Sequence, residues 1–148
     1  MLTKRLAVML FAICMLFAYN PISYAETAME EPFKPVQVFD VKAGKVIKSV
    51  PNDKEFQEQA NSWLGSITNL APQLKNDESC SYVYRIPLEK PVTIAITGNR
   101  IAAQDVFLFN CADKPPLLLV FDEQRKPYLF QFKADIKPFI KKIGIPAS

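Results

Sequence analysis

The sequence predicts an α+β domain: a mainly antiparallel β-sheet of about six or seven strands, with two helices, around residues 52–67 and 134–143, on one face. Three observations predict it. Short β-branched and aromatic runs recur between turn residues. A clear amphipathic helical pattern interrupts them once, and a second, shorter one closes the chain.

The elements follow in order. Lys4 and Arg5 give a positive start, 6–18 is an unbroken apolar run, and Asn20 and Pro21 break it before Ser23-Tyr24-Ala25. That order is the one a secretory signal peptide has, with cleavage expected after Ala25. The apolar run is shorter than the 20 or so residues of a spanning helix. Cys14 falls inside the run with Ile13 before it, where lipoprotein processing needs a small residue, so it is expected to leave with the signal. Residues 26–35 are acidic, carry Pro32 and Pro35, and read as a flexible leader to a single domain at 36–148.

Residues 36–41 alternate and are β-branched, 42–45 form a turn, and 46–50 return, which is a hairpin. Asn52 is placed to cap the first helix, with Glu55 three residues on. Phe56, Ala60, Trp63, Leu64 and Ile67 then make one apolar face, opposite Lys54, Glu55, Glu58 and Gln59. Trp63 on that face is a core residue rather than a ligand platform. Residues 69–79 are polar, contain Pro72, and read as a loop. Strands are expected at 81–86, ended by Pro87, and at 92–97, followed by a tight turn at Gly98-Asn99. Further strands are expected within 100–110 and at 117–121 and 128–132, the last two joined by the polar turn 122–126. Ile136, Phe139, Ile140 and Ile143 form the face of the last helix, where Pro138 is tolerable only in the first turn.

Composition excludes several chemistries. The chain has no His, so neither Ser-His-Asp nor Cys-His catalysis is available. All four Gly are isolated, so there is no phosphate-binding Gly loop; calcium loops with alternating acids are absent too, and no cofactor is expected. Lys4 and Arg5 leave with the signal, so 18 basic residues become 16 against 15 acidic ones. A near-neutral domain carries no footprint for nucleic acid. Asp105, Asp113, Asp122 and Glu123 flank apolar strands; they read as turn residues and strand ends rather than as an acid–base pair. Lys133, Lys137 and Lys141, spaced by four with Lys142 beside them, form a solvated row that offers weak contact with an anionic envelope surface.

Cys80 and Cys111 remain after cleavage, and an even number of thiols in an exported chain predicts a disulfide. A meander hinged at both 87–91 and 98–99 would put them at opposite ends of the sheet. The bridge therefore requires strands 81–86 and 105–110 to be direct antiparallel neighbours, with 88–103 as an excursion. The 11 Phe and 5 Tyr are the other notable feature, and Tyr82, Tyr84, Phe107, Phe109 and Tyr128 are the candidate ligand or partner surface. Residues 106–109 and 117–121 are apolar at every position, whereas a sheet covered on one face only should alternate. Either the hairpin 36–50 and the loop 69–79 cover the second face, or that face is a groove or an interface. The expected function is an exported or envelope-associated, non-enzymatic domain that binds a protein, peptide or apolar ligand. The alternative is an extracytoplasmic enzyme or enzyme inhibitor that uses carboxylates or an exposed loop.

Overall fold

The computed structural model describes residues 33–72, 80–96 and 98–145. The expected signal peptide, the leader as far as residue 32, and most of the expected loop at 69–79 lie outside the described residues. Among those described, the strands are β1 (Val36–Asp40), β2 (Lys45–Val50), β3 (Ile67–Leu70), β4 (Tyr82–Ile96), β5 (Asn99–Asn110), β6 (Leu117–Phe121) and β7 (Pro127–Phe132). They form one sheet in the order β2-β1-β4-β5-β6-β7-β3, every neighbouring pair antiparallel. The helices are α1 (Lys54–Gly65) and α2 (Lys137–Ile143), and the class is the α+β class expected.

The two helices pack on one face because their apolar stripes match the inward side chains of the strands. Val36 and Val38 of β1, Tyr84 and Ile86 of β4, Val106 and Leu108 of β5, Leu118 and Val120 of β6 and Phe130 of β7 are fully buried there. Phe56, Ala60, Trp63 and Leu64 of α1 and Phe139 and Ile143 of α2 close over them. Phe139 is the hub: its ring meets Trp63 at 5.0 Å, Phe56 at 5.4 Å and Tyr84 at 5.4 Å, each edge to face. That geometry sets the positive ring edge against a negative face and adds to simple burial.

Asp53, not Asn52, caps α1. Its side chain accepts the Phe56 N–H at 3.1 Å, and Lys142 holds its carboxyl below the usual carboxylate range. Asn52 is buried instead, donating Nδ2 to the Lys34 and Pro87 carbonyls and accepting from Gln57 Nε2. Gln57 Nε2 also donates to the Pro87 carbonyl, and Gln57 Oε1 accepts the Glu89 N–H. This buried amide pair lets the chain run through Pro87, the expected end of the strand. β4 continues to Ile96, and its register with β5 slips only between Pro87 and Val92. Prolines that cannot serve a ladder sit at such irregularities.

The first helix is also shorter than its apolar pattern. The Ser66 N–H returns to the Trp63 carbonyl, and the Ser66 hydroxyl accepts the N–H groups of Lys133 and Ala134. That turn redirects Ile67 from the helix into β3, which pairs with β7 at the far edge of the sheet. Asn69 and Leu70, expected in a loop, are therefore strand residues. In α2 the helix begins at Lys137 rather than near residue 134, Pro138 lies in the first turn as required, and Gly144 ends it at φ 69°. Only Gly is comfortable in that left-handed conformation.

Cys80 and Cys111 are bridged, with Cα atoms 4.2 Å apart. Their strands are direct neighbours, as the bridge requires, with Tyr82 opposite Asn110. Residues 88–103 are no excursion, however: they are the far half of one long hairpin, turned beside Gly98, with Ile96 paired to Asn99.

Candidate functional site

A side chain that points away from the helices in this sheet belongs to a second face, and the register places those residues in rows. One row crosses the sheet as Val46, Phe39, Val83, Phe109 and Leu117, ending at Gln131. The next reads Ser49, Gln37, Arg85, Phe107, Leu119 and Leu129. Beyond it, Phe121 packs edge-on against Phe107, with ring centroids 5.6 Å apart. Both helices lie on the opposite face, and the β1–β2 hairpin extends the sheet edge instead of folding over it, so among the described residues neither covers this face; residues 73–79 of the expected covering loop lie outside the described residues. Phe39 and Phe121 keep 38% and 37% of their surface exposed, and the central members of the rows are half-buried by one another. The continuous apolar runs of β5 and β6 are thus explained. One set of side chains faces the helices, and the other builds this second surface.

A polar strip crosses it. Arg85 Nε donates to Asp105 Oδ1 at 2.9 Å, and Arg85 also reaches Gln37 Oε1 at 3.4 Å. Next to that strip β6 leaves β5: their pairing ends at Phe107 opposite Leu119, while β5 runs on toward Asn99. The divergence opens a cleft of about 410 Å³ between β5 and the β6–β7 turn, with Phe107 and Phe121 on its apolar side and Asp105, Asp122, Glu123 and Arg125 on its polar side.

The carboxylates of the cleft are largely engaged. Asp105 is held by Arg85. Asp122 Oδ1 accepts the N–H groups of Gln124 and Lys126, and Oδ2 accepts the Tyr128 hydroxyl at 3.1 Å. Asp122 therefore organises the turn, as expected for an acidic residue in that position. Glu123 makes no hydrogen bond or ion pair with the described residues. Among those residues no cluster of His, Cys, Asp or Glu is disposed to hold a metal ion.

The structure divides the five aromatic residues singled out from sequence. Phe107 and Phe109 stand on the second face. Tyr84 is fully buried under α2, Tyr82 packs beside it on the helix side with ring centroids 6.5 Å apart, and Tyr128 faces the same side, opposite Val120. Lys126 covers the Tyr128 ring, its Nζ 5.2 Å from the centroid. The residues that sequence reasoning missed are Phe39, Val83, Leu117, Leu119, Phe121 and Leu129. Their parity within each strand was visible, but which parity faced the helices was not.

No family model matches the chain, and neither the curated proteins nor the solved structures include one that matches it.

Proposed function

We propose that this chain is an exported, non-enzymatic domain that takes up an apolar segment of a protein or peptide, or an apolar ligand, on the second face of its sheet. The observation that supports this most is the apolar row Phe39, Val83, Phe109 and Leu117, with Phe107, Leu119 and Leu129 beside it, opposite both helices and ending in the Phe107–Phe121 cleft. Contiguous apolar surface of this kind is rare on a monomer without a binding role. The cleft gives a deeper point where one bulky apolar group of a ligand would seat, and Arg85, Asp105 and Gln37 give polar groups that fix its orientation. The reading as an enzyme or inhibitor rests on Asp105, Asp122 and Glu123 in the same cleft; Asp105 is already bound through Oδ1 and Asp122 through both oxygens.

A displayed random-peptide library selected against the protein tests the proposal. Selected peptides are expected to carry apolar anchors and to lose at least about tenfold in affinity on Phe121→Ser or Phe39→Ser, the loss of one well-buried anchor contact. Both positions are partly exposed, so each variant should lose some stability but stay folded, which the thermal midpoint checks. Selected peptides that bind both variants as well as the parent would overturn the assignment to this face.

A further inference from the structure

We propose that one end of the domain, formed by the β1–β2 tip and the outer side of α2, docks on an anionic lipid surface. The sheet register brings the parts together. Asp40 pairs with Tyr82 and Tyr82 with Asn110, so the tip at 41–44 lies at the same end of the sheet as Asn110 and the Cys80–Cys111 bridge. The Val41 N–H bonds the Ser81 carbonyl, and Lys48 Nζ donates to the carbonyl of Ile143 at the end of α2. An open, mainly apolar groove of about 630 Å³ runs at this end, lined by Asn110, Ile136, Ile140 and Ile145 and flanked by Lys137 and Lys141.

Charge is distributed unevenly. Segments 40–48, 110–116 and 133–145 hold eight Lys and three Asp, with Asp53 and Glu55 bound to Lys142 beside them, whereas segments 87–100 and 121–127 at the other end hold four basic and three acidic residues. Among the described residues this end is therefore the more cationic of the two. Lys42, Lys45, Lys137 and Lys141 are exposed and have no carboxylate partner among the described residues. Asp40 and Asp135 are each turned to a backbone N–H, of Ala43 and Lys137. Lys141 and Lys142 suit the C-terminal end of a helix dipole, but Lys137 stands in the first turn of α2, where the dipole opposes a cation. Local helix energetics do not explain it.

Beside these cations stand apolar side chains in water: Val41 is 44% exposed, Val46 46% and Ile47 42%. The chemistry fits a bilayer better than a protein partner. These segments contain aliphatic side chains and Lys but no Arg, which is enriched at protein interfaces. Lys acts as a point charge without the planar fork of Arg, which suits a diffuse anionic surface. Among the described residues no helix is long and apolar enough to cross a membrane.

Flotation of the full chain with vesicles of phosphatidylcholine, alone or mixed with phosphatidylglycerol, tests this. The apolar run at 6–18 is common to every variant, so differences between variants report on the docking end. Binding should be stronger to the anionic vesicles and should weaken with salt. Each Lys→Gln change should lower the partition coefficient about fivefold, so Lys42→Gln/Lys45→Gln and Lys137→Gln/Lys141→Gln should each lower it by about 25-fold. Val46→Ser/Ile47→Ser should weaken binding while preserving its salt dependence. Equal binding to both vesicle types, or indifference to either lysine pair, would overturn the proposal. So would a dimer abolished by Val46→Ser/Ile47→Ser, or polyglutamate bound as tightly as the vesicles, which would assign this end to a second copy or to an acidic protein. Phe121→Ser should leave vesicle binding unchanged, which separates this end from the peptide-binding face.

Discussion

The hydroxyl of Tyr84 is fully buried and has no hydrogen-bond partner among the described residues. Burial pushes its phenol up to about 12, and Tyr82 beside it adds to the shift. A buried hydroxyl without a partner costs desolvation that no bond returns, so Tyr84→Phe is expected to stabilise the domain by up to about 1 kcal/mol. The pH dependence follows from the direction of the shift. The unfolded tyrosine ionises near pH 10. Between there and about 12 the folded state keeps a proton that the unfolded state has released, so stability falls as pH rises through that window. Urea unfolding at about pH 8 and about pH 11 should show a steep alkaline loss in the parent and a smaller one in Tyr84→Phe. Identical losses would mean that this phenol is not the buried one. The sequence showed only that Tyr82 and Tyr84 share a face; that the face is the one under α2 depends on Phe139, over fifty residues later.

At the scale of elements, legibility followed the range of the interaction that decides each one. α1 was readable because its face repeats locally, and β1 with β2 because their turn is local. β3 was not readable: four residues with an exposed Leu70 become a strand through pairing with β7, more than sixty positions away. The length of β4 was hidden for a similar reason. Pro87 ends a strand by local rules, and only the amides of Asn52 and Gln57, delivered by α1, satisfy the carbonyl that the irregularity frees. The Cys80–Cys111 bridge was legible because cysteine parity and strand adjacency are joint constraints. It closes a separation of 31 residues, so Cys80→Ala/Cys111→Ala should lower stability by about 3–4 kcal/mol through loop entropy, read as the urea midpoint at unchanged slope. The full chain has three Cys, so thiol titration of the unfolded, unreduced chain should find one free thiol, Cys14. Three would reject the bridge.

At the scale of the whole molecule, the features divide the domain into the two proposed binding surfaces and one staple. The apolar second face and the lysine-rich end meet near the β1–β2 hairpin, where Phe39 belongs to the first, Lys42 and Lys45 to the second, and Val46 to both. The disulfide joins β4 to β5 at that same end and holds the base of the long hairpin. The second face was half legible in the sequence: apolar character on both sides of β5 and β6 announced it, but its members required the register. A bridge is compatible with an oxidising compartment, which agrees with the export proposed from the N-terminal residues. Cleavage follows from the same reading, since the small residues Ser23 and Ala25 stand where a signal peptidase reads after the break at Pro21. Intact-mass measurement on protein recovered from outside the cytoplasmic membrane should therefore show a chain beginning at Glu26 and two hydrogens lighter than its reduced form. Cleavage would also remove Cys14, so the recovered protein should have no free thiol before reduction and two after it, both from the bridge. A recovered chain that still begins at Met1 would replace export and release by anchoring through the 6–18 run. The lysine-rich end would then act on a membrane to which the protein is already tethered.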